Sequence, residues 1–413
     1  MTGLFPVSYT HLFPRELFRR VMPLPAHVVI LLRLLSLALL YRFVKGRHGI
    51  APIAAFDAAD FEVKLAAEVK GFDPAAHGIG KKDARRMDRF SQFALAAAIE
   101  AMTDCGTGFQ DLDPFRVGVI VGTGIGGFVT IGEEYEKYLE KGPDRVSVFF
   151  IPMIMANAAS ALISMRYGFQ GPNYSLATAC ATSTHTVGEA FRTIKDGYAD
   201  VILCGGSEAA VTRFAMAGFN NMKALSNSQD PDSASIPFDA RRDGFVLGEG
   251  AGVLVLEEYE HARARGAHIY AEVVGYGATA DAYHITSPDP EGAGDARAIT
   301  LALEEAGIAP GQLGYINAHG TATPLNDRYE TIAIRRALGE AAEKVKISST
   351  KSMTGHLLGA AGAIEAAATV LALDQGIFPG TAGFREPDPE CDLDYMVAGA
   401  EQLPVEYLSL IHI

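Results

Sequence analysis

A cysteine, two histidines and a lysine each stand where an apolar run of the sequence gives way to a polar, small-residue stretch. Cys180 follows SLATA and His319 follows LGYINA, while Lys351 and His356 share the stretch SSTKSMTGH. A cysteine at the start of a helix faces the positive end of the helix dipole, which favours a thiolate and a developing oxyanion. The pattern therefore predicts nucleophilic chemistry at Cys180.

Each of these residues also has an ordinary structural interpretation. Buried cysteines are common, a loop histidine is often only hydrogen-bonded, and a histidine can cap a helix beside a solvated lysine. Three cysteine and histidine positions at equivalent strand-to-helix junctions are harder to explain in this way. We therefore favour one shared site, because α/β folds collect functional groups where strands end.

The surrounding sequence alternates between apolar strands and amphipathic helices, which is typical of an α/β fold. We expect strands at 116–124, 175–180, 200–206, 271–281 and 313–320, and helices at 84–102, 151–168, 182–197, 295–307 and 359–376. The alternation occurs once in each half of the sequence. We therefore expect two similar halves with mostly parallel central sheets, one at 46–265 and one at 266–407.

Composition excludes several other classes of protein. The formal net charge of -14 leaves no basic surplus to neutralise nucleic-acid phosphates. No Cys-x-x-Cys pair occurs, so neither a zinc site nor a disulfide framework is indicated, and a reducing, cytoplasmic setting fits best. The cysteines are Cys105, Cys180, Cys204 and Cys391. We expect no cofactor and no metal ion, since GTGIGG at 122–127 does not fit the dinucleotide fingerprint and reads as a close-packed turn.

Both ends of the sequence are anomalous. Residues 26–44 are nearly long enough to span a bilayer, although Arg33 near their middle would be costly there. VSYTHL at 7–12 and LSLIHI at 408–413 can both be encoded by one DNA string, CTGTCTCTTATACACATCT, which ends a common transposase-based library adaptor. We therefore predict that 1–45 and 408–413 are non-native sequencing junctions rather than a membrane anchor and a tail. Resequencing the locus tests this.

Several motifs resemble the β-ketoacyl-acyl-carrier-protein synthases, in the same order along the chain. They are TACATSTH around Cys180, NAHGTATPLND around His319, SSTKSMTGH around Lys351 and His356, PFDARRDGFVLGEGAG at 237–252 and DAYHITSPDPEG at 281–292. FNNMKALS at 219–226 is most similar to the type II, elongating form of bacterial fatty-acid synthesis. The resemblance runs from about residue 46 to residue 407.

This resemblance implies a thiolase-like fold, with duplicated halves in five α-β-α-β-α layers, and a homodimer. It also implies that Cys180 takes the acyl chain from an acyl carrier protein as a covalent thioester. His319 and His356 would hold the malonyl thioester carbonyl while carbon dioxide leaves, and the carbanion would attack the acyl-cysteine. The product would be a 3-oxoacyl-carrier thioester.

Supporting residues follow from the same resemblance. Lys351 would orient His356, with Glu365 as its ion partner, and Thr321 and Thr323 would bind the pantetheine arm. The implied carrier protein is acidic, so we expect a basic docking patch. Its candidates, each equally well explained as a solvated surface charge, are Arg85, Arg86, Arg89, Arg213 and Lys223. No nucleic-acid or membrane partner is expected.

The sequence departs from the family at both ends. The opening strand with its Thr-Gly-Leu-Gly turn and the closing Asn-Ser-Phe-Gly-Phe-Gly-Gly segment are absent. In the family the closing segment supplies an oxyanion N–H, and loss of one such donor can cost about 100- to 1000-fold in rate. Loss of two core strands would also expose sheet edges. An inactive form that only binds the carrier therefore stays open.

Other proteins of the same fold would carry different residues at these positions. A degradative thiolase needs a second late cysteine, and Cys391 lies in the unsuitable acidic stretch EPDPECDLD. An initiating synthase would carry asparagine where this chain has His356, and a non-catalytic partner subunit would lack Cys180. A polyketide-type ketosynthase has nearly the same motifs and stays open as an alternative.

Overall fold

The computed structural model describes residues 7–14, 27–31, 35–106, 109 and 112–412. The strands are β1 (Val7–Pro14), β2 (Val28–Leu31), β3 (Ala51–Pro52), β4 (Leu65–Ala66), β5 (Val117–Gly122), β6 (Asn173–Tyr174), β7 (Val201–Glu208), β8 (Gly250–Glu258), β9 (Ala271–Val273), β10 (Gly275–Ala280), β11 (Leu313–Asn317), β12 (Lys346–Ser348), β13 (Ile377–Phe378), β14 (Glu401–Gln402) and β15 (Tyr407–His412). The α-helices are α1 (Leu35–Val44), α2 (Lys81–Ala84), α3 (Arg89–Asp104), α4 (Phe128–Lys141), α5 (Phe150–Ile154), α6 (Ala158–Tyr167), α7 (Thr182–Lys195), α8 (Arg213–Asn221), α9 (Tyr259–Ala264), α10 (Ala293–Ala306), α11 (Pro324–Leu338), α12 (Lys351–Thr354) and α13 (Ala361–Gln375).

Two mixed sheets form the centre of the molecule. One has the strand order β6-β5-β7-β8-β2-β9 and the other has the order β10-β1-β15-β11-β12. Pairing is parallel within β6-β5-β7 and within β15-β11-β12, and antiparallel elsewhere in both sheets. The expectation of mostly parallel sheets is therefore wrong. The chain leaves β7 at Glu208 and re-enters opposite it at Gly250, so β8 runs in the reverse direction.

Helices and sheets stack in five layers, as the resemblance implies. Helices α3 and α6 cover one face of the six-stranded sheet, α7 and α13 fill the space between the sheets, and α10 and α11 cover the outer face of the five-stranded sheet. Small residues allow the central helices to approach closely. A Cβ added to Gly362 of α13 would lie 2.1 Å from Oγ1 of Thr184 in α7.

Three predicted elements differ from the structure. The helix expected at 151–168 is two helices, α5 and α6, because Gly127 donates its amide to the carbonyl of Ile154 where a continuous helix would use it. The strand expected at 271–281 is divided into β9 and β10. The strand expected at 175–180 is absent, since pairing stops at Tyr174 and a 3₁₀ turn, Ala179–Ala181, precedes α7.

The segments predicted to be non-native occupy strand positions. β1 lies between β10 and β15, β15 also pairs with β11, and β2 lies between β8 and β9. The expectation of exposed edges at these places is therefore wrong, because these segments fill them. Their origin stays a prediction. Residues 1–6, 15–26, 32–34 and 413 of these segments lie outside the described residues. Within the described part, no helix has the length and apolar character needed to span a bilayer.

Candidate active site

The candidate nucleophile sits on a tightly bonded turn at the start of α7. Ala179, just before Cys180, has a φ of 49°, which is uncommon for a residue with a side chain. The hydroxyl of Thr182 fixes this turn, since it accepts from the amide of Thr178 at 2.8 Å and donates to the carbonyl of Ala179 at 2.8 Å. Cys180 is half-buried and begins the helical segment, as the sequence predicts.

His356 points its ring at this sulfur. Its Nε2 lies 2.9 Å from Sγ of Cys180. The amide of Leu358 donates to Nδ1 at 3.3 Å, so Nδ1 accepts and Nε2 carries the ring proton. Phe245 packs edge-on against the ring, with 5.2 Å between the centroids. The imidazole is thus oriented as a hydrogen-bond donor toward the sulfur and the space beside it.

His319 follows the end of β11 and lies beside Cys180 and His356. The amides of His319 and Gly320 donate to the two carboxylate oxygens of Glu330, at 2.6 Å and 2.8 Å, which fixes the loop. Sγ of Cys180 and ring nitrogens of both histidines all lie within 4.8 Å of one another. The structure therefore brings the three separated junctions together in one site.

The two imidazoles are neutral in this site. Burial lowers the pKa of both His319 and His356 well below its usual value, and the nearby Lys351 lowers it further. Nζ of Lys351 lies 2.7 Å from Oε1 of Glu365, and both side chains are almost fully buried. The ion pair expected from the sequence is therefore present, and neutral imidazoles suit donation to a carbonyl oxygen.

Burial and a nearby charge act in opposite directions on the sulfur of Cys180. Burial raises the pKa of the Cys180 thiol to about 11, although the charge of Lys351 acts in the opposite direction. The thiol therefore keeps its proton at neutral pH until a substrate binds. Burial therefore opposes the thiolate that the start of α7 favours.

The two threonines predicted to bind the pantetheine arm lie beside His319. Oγ1 of Thr321 and Oγ1 of Thr323 are 2.9 Å apart, with Ala322 between them at a φ of 64°. Thr321 is buried and Thr323 is half-buried. Their hydroxyls therefore form a polar pair next to the site, and their role stays a prediction.

The five candidate docking residues differ in their exposure and in whether an acidic side chain pairs with them. Arg89 is half-buried and pairs with the buried Glu249 at 2.8 Å, which neutralises it. Arg213 pairs with Asp60, and Nζ of Lys223 lies 3.4 Å from Glu62 while its side chain is 73% exposed. The other two candidates are exposed on the surface: Arg85 and Arg86.

Sequence analysis missed three residues that support the site. Glu330 could have been found as an acid on the helix after the His319 loop, and Glu208 as a charged residue that ends the apolar strand β7. His412 lies in the segment predicted to be non-native, so it was not considered. Its Nε2 is 2.7 Å from Oε2 of Glu365, and its Nδ1 is 2.8 Å from Oγ1 of Thr184.

One sulfur and two imidazoles at this spacing could also hold a metal ion. Thiolate and imidazole are the ligands that zinc prefers, and three protein ligands with one open position are typical of a catalytic zinc site. A metal bound there would displace the thiol proton of Cys180, and the raised pKa of that thiol makes this displacement more costly. A covalent acyl adduct on the sulfur distinguishes the two chemistries.

The chain matches two family models that together span most of its length. Residues 40–262 match the N-terminal domain of beta-ketoacyl synthase, and residues 270–385 match the C-terminal domain.

Curated relatives match over nearly their whole length. A 3-oxoacyl-[acyl-carrier-protein] synthase 2 from Synechocystis sp. is 50% identical over 364 residues, which are 88% of this chain and 87% of the relative. The protein of the same name from Staphylococcus aureus is 49% identical over 364 residues, which are 88% of each chain.

Solved structures give the same fold. A type II polyketide ketosynthase in complex with its acyl-carrier protein superposes with a TM-score of 0.86 at 32% identity, and covers 94% of this chain and 98% of its own. The ishigamide ketosynthase/chain length factor gives a TM-score of 0.84 at 35% identity, with the same shares covered.

Proposed function

This chain belongs to the beta-ketoacyl synthase family, and from that premise we propose that it condenses an acyl chain with malonyl-acyl-carrier protein in fatty-acid elongation. The product is 3-oxoacyl-acyl-carrier protein. The observation that carries this is the 2.9 Å contact between Sγ of Cys180 and Nε2 of His356, with the ring of His319 in the same group of atoms.

The first half-reaction is acyl transfer to Cys180. The sulfur attacks the acyl-carrier thioester, its S–C bond forms as the carrier's S–C bond breaks, and the thiol proton ends on the released carrier thiol. Because burial raises the pKa of Cys180 to about 11, this proton leaves during the attack rather than before it. The start of α7 lies two residues after Cys180, where the positive end of the helix dipole favours the developing oxyanion.

The second half-reaction uses the two histidines. His319 and His356 donate hydrogen bonds to the thioester carbonyl of malonyl-carrier protein, and the electrons released with carbon dioxide collect there as an enolate. The enolate carbon attacks the acyl-cysteine, the new C–C bond forms as the C–S bond to Cys180 breaks, and the released thiolate takes a proton from solvent. Neutral rings suit this role, since donation costs no change of charge on the enzyme.

An acyl carrier protein is the proposed partner. The curated relatives are named for it, and one similar ketosynthase is solved in complex with its carrier. Lys223, Arg85 and Arg86 are exposed cations, which suit an acidic carrier. A cytoplasmic setting, where thiols stay reduced, stays part of the proposal.

A homodimer is also proposed. β6 is the outermost strand of the six-stranded sheet, and both of its residues are exposed, so it offers an open edge for pairing with a second copy. Light scattering on the purified chain tests this, with a monomer mass as the contrary result.

A polyketide-type ketosynthase is the second candidate function. One of the solved structures described above is a type II polyketide ketosynthase. The higher identity to relatives named 3-oxoacyl-acyl-carrier-protein synthase favours fatty-acid elongation.

An elongation assay separates these candidates from an inactive, carrier-binding form. Purified chain is mixed with malonyl-carrier protein and saturated acyl-carrier donors of graded length, and products are resolved by mass. We expect one two-carbon extension of the saturated donors. Extension only of polyketide intermediates would favour the second candidate, and carrier binding without any product would contradict both.

A further inference from the structure

A buried carboxylate with no part in the mechanism above lies beneath the site. Glu208 ends β7 with no exposed surface, and four uncharged groups donate to it. The hydroxyl of Thr123 and the amide of Ile125 donate to Oε1 at 2.9 Å and 3.3 Å. The amides of Gly124 and Gly359 donate to Oε2 at 2.8 Å and 3.0 Å. The carboxylate therefore gathers donors from distant parts of the chain.

The first group of donors belongs to the turn beside the nucleophile. A Cβ added to Gly124 would lie 2.8 Å from Oε2 of Glu208 and 3.7 Å from the carbonyl of Ala179. Ala179 directly precedes Cys180, so the glycine turn packs against the backbone that presents the sulfur. The close-packed turn expected at 122–127 is confirmed at this contact.

The other donor belongs to the histidine half. Gly359 follows Leu358, whose amide donates to Nδ1 of His356 and so sets which nitrogen of that ring carries the proton. A Cβ added to Gly359 would lie 2.3 Å from the amide nitrogen of Gly124. The two glycine backbones are thus in direct contact, and one carboxylate oxygen of Glu208 bonds both.

We propose that Glu208 is a positioning residue of the condensing site, which joins the nucleophile turn of one half to the turn that follows His356 in the other. It sets the separation between Sγ of Cys180 and Nε2 of His356, and it fixes the Leu358 amide that selects the His356 tautomer. This inference rests on the proposed function and concerns the same site.

The four donors require a carboxylate rather than another polar group. A carboxylate has two oxygens that only accept, whereas a glutamine side chain presents one accepting oxygen and an NH₂ group. In a Glu208→Gln variant the NH₂ group would face either Thr123 and Ile125 or the two glycine amides. An N–H would then face at least one backbone amide in a buried place, either that of Ile125 or those of both glycines, and that turn would shift.

The test compares Glu208→Gln with wild type in the elongation assay and in malonyl-carrier decarboxylation. We expect kcat to fall about 10- to 100-fold in both, since small misplacements of reacting groups have effects of this size. The KM for carrier-bound substrates should stay within about twofold, because the docking surface is unchanged. A kcat equal to that of wild type would overturn the proposal.

Glu257→Gln is the matched control. Glu257 is equally buried on the neighbouring strand β8, at the opposite end of the β7–β8 pair from Glu208, and its Oε2 lies 2.6 Å from Arg265. This variant should lose stability and keep its kcat per folded molecule. An equal loss of kcat in both variants would show that any buried charge change disturbs the site, and would also overturn the proposal.

Thr123→Val tests the positioning role of Glu208 if the Glu208→Gln variant does not fold. It removes one donor to Glu208 and the acceptor of the Gly126 amide in the same turn, while it keeps the shape of the side chain. We therefore expect a kcat about three- to tenfold below wild type with the KM retained. An unchanged kcat contradicts the inference. A wild-type chain that does not elongate at all contradicts the proposed function instead, so the two failures are distinguishable.

Discussion

The two halves of the molecule contribute to the site in different ways. The first half supplies a half-buried sulfur on a turn with an unusual backbone, Cys180 after Ala179. The second half supplies three buried side chains, namely two neutral imidazoles, His319 and His356, and the paired cation of Lys351. A group that exchanges acyl chains with an arriving carrier must be reachable, whereas groups that stabilise an enolate work best without water. The difference predicts that acyl transfer and decarboxylation can be separated by mutation.

Replacement of the sulfur should have the largest effect. Cys180→Ala removes the covalent nucleophile, so condensation should fall by about 10⁴-fold or more. Malonyl-carrier decarboxylation should continue, because His319 and His356 stay in place. Product and carbon dioxide are measured in the same samples. Loss of condensation and decarboxylation together would contradict the separation of the two half-reactions between the halves.

Removal of the buried cation should have the largest effect on stability. Lys351→Met removes the cation that lies 2.7 Å from Glu365 and leaves this buried acid with His412 alone, and breaking such a pair costs about 3–5 kcal/mol of unfolding free energy. Lys346→Met is the control, since Lys346 also lies 2.7 Å from an acid, Asp394, but at the surface. Its cost should be at most about 1 kcal/mol. Equal losses in urea unfolding would contradict the prediction.

Replacement of either imidazole should act mainly on the second half-reaction. His319→Asn or His356→Asn removes a donor to the enolate, so decarboxylation should fall about 100- to 1000-fold. Acylation of Cys180 should fall less in His319→Asn, because His356 is the ring that contacts the sulfur. His268→Asn, at the surface, is the control. Equal losses of acylation and decarboxylation would contradict the assignment of the two half-reactions to different halves of the molecule.

The pH dependence of alkylation should sharpen the account of the nucleophile half. Because the pKa of Cys180 is raised to about 11, its thiolate fraction grows about tenfold for each pH unit between pH 7 and pH 9. The rate of iodoacetamide labelling should rise in proportion, with Cys180→Ala as the background. A plateau below pH 8 would show that the sulfur is a thiolate at neutral pH.

Charge reversal at the docking surface should have the smallest effect. Lys223→Glu should raise the KM for carrier-bound substrates about three- to tenfold and leave kcat unchanged, with a smaller ratio at high salt. Arg213→Glu should act less, because Arg213 binds both Asp60 and the carbonyl of Asp57, whereas Lys223 has a 3.4 Å contact with Glu62. An unchanged KM in both variants would remove these residues from the docking patch.

The alternation of strands and helices and the converging residues could be predicted from the sequence because both depend on local patterns, whereas the five layers followed from the family resemblance. Strand-to-helix junctions identified Cys180, His319 and His356 without any knowledge of distance, and the structure brings them within 4.8 Å. The Lys351–Glu365 pair also followed, because both residues lie in motifs of the resembled family.

Features that depend on contacts between distant segments could not be predicted. The direction of β8 is set by where the chain re-enters the sheet, which hydrophobic patterns do not record. The protonated state of Cys180 comes from burial by several elements at once. The role of Glu208 depends on contact between residues 123–125 and Gly359, which are more than two hundred positions apart in the sequence.

The most direct test of the central claim is mass spectrometry of the chain after exposure to acyl-carrier protein. We predict that the peptide containing Cys180 gains the mass of the acyl group, and that later addition of malonyl-carrier protein removes it as 3-oxoacyl product. Absence of the adduct, or its appearance on another cysteine, would contradict the account.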